Sequence, residues 1–162
     1  MTTYNTIMLV SNPPNPVIYE KIAVAAFYPG HLVELDSNDE FGTHTIAGGN
    51  VAPILFALED DLQGNAIDVD YSAEDRARAW QPLPGDQVYA VLADGQNVSK
   101  NDLLESNGDG TLTAYVADSG AATVYPNQIV AKADEAMNLS DSSGTEESGV
   151  LGYDKRILVT IV

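Results

Sequence analysis

A chain of 162 residues, 44% of them hydrophobic, carries enough apolar material for a domain with a core, which excludes disorder over most of its length. Asp and Glu number 24 against 7 Lys and Arg, a formal net charge of -17, so its surface repels nucleic-acid phosphates and anionic lipid, and neither is an expected partner. There is no cysteine, so disulfides, thiolate catalysis and cysteine-bound metals are excluded.

The chain opens with Thr2-Thr3-Tyr4-Asn5-Thr6-Ile7-Met8-Leu9-Val10, uncharged and increasingly apolar. Because Met1 to Tyr19 holds no charged side chain, the basic region of a signal peptide is missing. Ser11-Asn12-Pro13-Pro14-Asn15-Pro16 follows, and its proline density excludes both helix and central strand pairing. Residues 1–16 therefore read as an extended arm on a stiff link, although a first strand and a turn fit the same residues.

From residue 17 to 162 the pattern is that of one β domain. Short runs, many β-branched or aromatic, alternate with Gly, Pro, Asn, Asp and Ser clusters. Expected strands are Val17–Ala26, Leu32–Leu35, Thr43–Ile46, Ile54–Leu58, Val88–Ala93, Leu112–Val116, Ile129–Ala133 and Ile157–Val162. The last is almost wholly apolar, as for a strand buried on both faces, and returns over 156–162 to close the domain. Tyr71 to Trp80 is two-sided: Ser72 and Asp75 could cap a helix, while Arg76-Ala77-Arg78-Ala79-Trp80 alternates as a strand does. Strand is the better fit, because a single capped turn is too short to be stable. The small, polar, acidic stretch 141–149 reads as a flexible loop.

One unit recurs. Pro29-Gly30-His31, Pro84-Gly85-Asp86 and Lys100-Asn101-Asp102 each lead into a strand, since Gly and Asn tolerate positive φ. Two of those strands enter similar turns, at Asp36–Asp39 and Ser106–Gly110. Two related β modules over about residues 20–62 and 84–139 fit this pattern, as does convergent hairpin chemistry. The expected fold is mainly β: a small β-barrel or β-sandwich-like domain of short strands with an extended N-terminal arm.

Chemistry is sparse. His31 and His44 are the only histidines, and no HxH or HExxH spacing relates them, so both read as surface residues. Paired acids such as Glu59-Asp60-Asp61 and Glu74-Asp75 are unavoidable in so acidic a chain. Around Glu105–Gly110 an Asn-x-Asp-Gly core lacks the opening Asp and closing Glu of a calcium loop, and reads as a hairpin turn. No P-loop, nucleophile elbow or dinucleotide fingerprint is present. The expectation is a binding or structural protein, not an enzyme, with no cofactor and no metal.

The stretch Gly49-Asn50-Val51-Ala52-Pro53-Ile54-Leu55-Phe56-Ala57-Leu58-Glu59-Asp60-Asp61-Leu62-Gln63-Gly64 resembles tailed-bacteriophage head proteins. So do Trp80 to Ala90, the Leu104–Thr113 hairpin and Gly149 to Arg156. The family is the capsid decoration, or cement, proteins. The resemblance implies a virion protein made in the host bacterial cytoplasm and placed on the outer capsid surface. Its partners would be the major capsid protein and itself, as a homotrimer. The arm, Thr2, Thr3, Tyr4, Asn5, Thr6, Ile7, Met8, Leu9 and Val10, would carry much of the capsid contact. Trp80 and Tyr89 could anchor a subunit interface, or pack in the core. The alternative is a receptor- or carbohydrate-binding module of a phage tail or fibre, which needs an exposed aromatic platform; the tyrosines, Tyr125 and Tyr153 among them, show no clustering.

Overall fold

The computed structural model describes residues 4–11, 15–117, 127–140 and 156–162. Thr2, Thr3, Pro13, Pro14, Tyr125, Tyr153 and the acidic stretch 141–149 lie outside the described residues, as does most of the Gly149–Arg156 resemblance. Among the described residues all regular structure is β. The strands of the first half are β1 (Met8–Val10), β2 (Val17–Ile22), β3 (Leu32–Leu35), β4 (Phe41–Thr43), β5 (Leu55–Ala57) and β6 (Arg76–Gln81). Those of the second are β7 (Gln87–Val91), β8 (Asn97–Val98), β9 (Leu103–Ser106), β10 (Leu112–Ala114), β11 (Ile129–Ala133), β12 (Met137–Asn138) and β13 (Arg156–Ile161).

They form a five-stranded sheet in the order β2-β6-β5-β3-β4, a six-stranded sheet in the order β1-β7-β13-β11-β9-β10, and a β8–β12 ribbon. Every ladder is antiparallel. Each sheet curls until two distant strands touch through a single parallel bridge, Ala23 with Phe41 and Leu92 with Leu112. No ladder closes either curl, so the architecture is sandwich-like rather than a barrel.

Side chains alternate across the five-stranded sheet as the pleat requires. Leu32, Phe56 and Trp80 face the large core shared with the six-stranded sheet. Val33, Leu55, Ala57, Ala77 and Ala79 face a second core with Phe41, under Phe27 and Tyr71. The two aromatic rings, 5.5 Å apart, pack in this core with the alanines.

Several expectations change. Residues 4–11 are no separate arm: Met8 pairs with Val88, Val10 with Gln87, and Ile7 is fully buried. An apolar, uncharged run gains more by covering β7 than by staying in water. The strand preferred for Tyr71 to Trp80 is present from Arg76 onward as β6, after a turn. Ser72 N–H donates to Asp75 Oδ2 at 2.7 Å and Glu74 takes φ 70°, so the cap-like residues make the turn and the alternating ones make β6. In β13 Ile157, Val159 and Ile161 are buried while Leu158 and Thr160 are half-buried, between β7 and β11.

Candidate functional site

The candidate interface residues Trp80 and Tyr89 are both wholly buried in the large core. Neither ring can reach a second subunit, which corrects that expectation. Beside its cross-strand neighbour Phe56, the indole fills the space between the sheets, where a large ring contributes more than on a wet surface. Tyr4 explains the cover over Tyr89: their rings meet edge to face at 5.1 Å. Thr6 Oγ1 donates to Glu59, and Ile7 N–H donates to Glu59 Oε2 at 3.0 Å, so the segment before β1 is held at two further points. Asn5 and Val10 are exposed, while Tyr4, Thr6, Met8 and Leu9 are half-buried.

The histidines are not freely exposed either. His44 is buried, with Nδ1 2.7 Å from Ser106 Oγ and Nε2 3.3 Å from the Asn50 carbonyl. Glu34 lies 3.8 Å from Nε2. Ser106 is fully buried, so this Ser–His pair offers no nucleophile to a substrate; it joins the loop after β4 to the end of β9. His31 is half-buried, and Nδ1 accepts the Tyr28 N–H at 3.3 Å. Burial pushes its pKa down to about 4, with the Asp109 carboxylate opposing and the Arg156 guanidinium assisting.

The Asn107–Thr111 loop is a hairpin turn. Asp109 accepts from Thr111 N at 2.9 Å, from Thr111 Oγ1 and from Asn107 Nδ2. Burial works against its charge, but those hydrogen bonds and His31 prevail and hold the carboxyl below its usual range. Among the described residues no cluster of three or more His, Asp or Glu is placed to hold a metal.

The feature that remains is a surface. Val10 is 48% exposed, Val17 51%, Ile18 38%, Leu83 47% and Val162 49%. The topology gathers them at one end. Val10 pairs with Gln87, Val17 with Gln81, and Gly85 N–H donates to the Ile161 carbonyl at 2.9 Å. The end of β1, the start of β2, the β6–β7 turn and the end of β13 thus form one apolar rim on an acidic body. β2 is also a sheet edge, on which Val17, Ile18 and Glu20 are exposed while Tyr19, Lys21 and Ile22 are half-buried. An apolar sheet edge is costly to leave in water. The sequence hides it, because the residues stand at 10, 17–18, 83 and 162. The one local signal is Val17-Ile18 opening a strand whose pattern does not alternate.

No family model matches the chain, and no curated protein does. Among solved structures, the N base of the head fiber gp8.5 of bacteriophage phi29 is similar, with a TM-score of 0.51 and 14% identity over 91% of this chain and 95% of that one. At that identity the likeness is one of fold, and it spans nearly the whole of both chains.

Proposed function

We propose that this chain is a structural protein of a phage head. It binds the outside of the shell, stabilises contacts between major capsid protein subunits, and acts as a homo-oligomer, with a trimer as the form implied by the cement-protein resemblance. Its role is mechanical rather than catalytic. The observation that carries the reading is the likeness in fold to a head-fiber base along nearly the full length of both chains. The chain's own physics fits. A formal charge of -17 keeps unassembled copies apart, while the apolar rim gives each copy a face to bury. Many copies on one shell gain by multivalency what each contact lacks.

A receptor- or glycan-reading fibre module is the second reading, since the similar protein belongs to a fiber. It needs exposed rings. Of the described tyrosines, Tyr71 and Tyr89 are buried and Tyr4, Tyr19, Tyr28 and Tyr115 are half-buried, so shell binding is preferred.

Mixing the folded chain with expanded, undecorated heads and sedimenting them tests this. Saturation at a symmetry-related copy number is expected. Absence of binding, with hits on a glycan array, would replace the first reading by the second.

A further inference from the structure

The two sheets repeat one another strand by strand. Numbered within each half, β2-β6-β5-β3-β4 and β7-β13-β11-β9-β10 share the order 1-5-4-2-3. The register agrees as well. Leu32 pairs with Phe56 and Val33 with Leu55, as Leu103 pairs with Lys132 and Leu104 with Ala131. Leu35 pairs with Phe41 as Ser106 pairs with Leu112, and these partners, Phe41 and Leu112, are the ones that bridge to Ala23 and Leu92. Ile22 pairs with Arg76 as Val91 pairs with Arg156. The Phe27–Tyr71 bridge answers to the Val98–Met137 pair. Turns match in detail: Gly30 N–H donates to Ala57 O and Asn101 N–H to Ala133 O, both at 2.8 Å, and both residues have positive φ.

This superposition of registers sets the outer edge of β2 equivalent to that of β7. With Ala23 matching Leu92, Ile18 matches Gln87 and Glu20 matches Tyr89. On β7 that edge is covered: β1 pairs with it, Tyr89 N–H donates to the Ile7 carbonyl at 2.9 Å, and Val91 N–H donates to the Gly30 carbonyl at 3.0 Å. On β2 the far end is closed at Ala23, and Val24 N–H donates to Phe41 O at 2.8 Å. Over Val17–Lys21, no described residue adds a strand beyond β2. Side chains there are Val17 and Ile18, exposed, then Glu20 paired with Arg76 at 3.0 Å and Lys21 paired with Asp39.

We infer that the outer edge of β2 docks an extended segment of another protein, laid antiparallel in the place that β1 holds on β7. Backbone groups of Ile18 and Glu20 supply the hydrogen bonds, and Val17 and Ile18 supply apolar contact. The occupant is a segment with apolar residues at alternate positions and neutral or basic charge. A second copy is disfavoured at this edge, because a two-fold pairing centred on Glu20 sets that carboxylate opposite its own image. On the reading proposed above, on which this inference rests, the segment belongs to the shell protein.

The test uses the full chain and expanded, undecorated heads. Ile18→Lys places a charge on the edge, and Glu20→Pro removes an outward N–H, a change that an edge strand tolerates. Each is expected to weaken head binding at least tenfold while its melting curve shows a folded domain. In the unmodified protein, hydrogen exchange across residues 17–22 should slow on binding, and across β10, an edge strand of the other sheet, it should not. Equal binding by folded variants, or unchanged exchange at 17–22, overturns the edge assignment and leaves head binding standing. Failure of the unmodified chain to bind heads overturns both. Concentration-dependent dimers of the free chain that Ile18→Lys abolishes would assign the edge to a second copy instead.

Discussion

At matched positions of β6 and β13 the first half carries alanine where the second carries a branched aliphatic, although both halves trace one topology. Ala77 and Ala79 of β6 stand where Ile157 and Val159 stand in β13, and Ala23 stands where Leu92 does. The lost volume returns from above, where Phe27 and Tyr71 take the positions held by Val98 and Met137. The Tyr71 hydroxyl donates to the Leu58 carbonyl at 2.8 Å, and burial raises that phenol well above its usual range. One fold therefore accepts two core chemistries, provided that total volume is kept and each buried polar group finds a partner.

The sharpest break in this symmetry is Trp80 against Thr160, which occupy matching positions in β6 and β13. Trp80→Ala should cost about 3–5 kcal/mol, the usual range for emptying a fully buried indole site, and Thr160→Ala well under half of that. Urea unfolding of both variants checks the ratio. The next contrast pairs two arginines. Arg156 is wholly buried and donates through Nε and Nη2 to the Pro29 carbonyl, at 3.2 and 3.1 Å, and through Nη2 to the Ile67 carbonyl. Its counterpart Arg76 makes an exposed pair with Glu20. Arg156→Met strands buried carbonyls and should cost about 3 kcal/mol. Arg76→Met should fall within about 1 kcal/mol of the parent protein. Equal melting temperatures for the two variants would contradict the inter-half tie.

Making the halves alike in one residue should hurt. Ala79→Val copies Val159 into a site already filled by Phe27 and Tyr71, and should destabilise by about 1–3 kcal/mol through overpacking. The smallest effect is a slope. His31 and Asp102 hold matching turns, where His31 Nδ1 accepts the Tyr28 N–H and Asp102 Oδ2 accepts the Ser99 N–H at 2.8 Å. A neutral ring is needed to accept, which agrees with the pKa of about 4. The folded state therefore binds this proton later than the unfolded chain, whose histidine titrates near about 6.5. The resulting contribution to stability is present in full above that value and is lost as pH falls from about 6.5 towards 4. His31→Asn keeps an acceptor without a titration, so its stability relative to the parent should rise over this window and stay level above it.

Much of the fold was legible. Leu32–Leu35 and Ile129–Ala133 stand in the sequence as the strands they are, because β-branched and aliphatic runs between turn residues have few other uses. The Pro29-Gly30-His31 and Lys100-Asn101-Asp102 turns were also readable, since only a few residues accept positive φ. The module ranges 20–62 and 84–139 stop short of β6 and β13, the fifth strand of each half. Those strands lie distant in sequence from the hairpins they join, so no local pattern ties them together. Local chemistry thus determined the element types, the acidic surface and the missing thiol chemistry. Tertiary structure alone decided that Met8–Val10 is a strand, that Trp80, Tyr89 and His44 are interior, and that Val10, Val17, Ile18, Leu83 and Val162 share one rim. The physical reason is that burial and adjacency belong to pairings between distant strands, and a residue's own neighbours in the chain do not encode which strand will cover it.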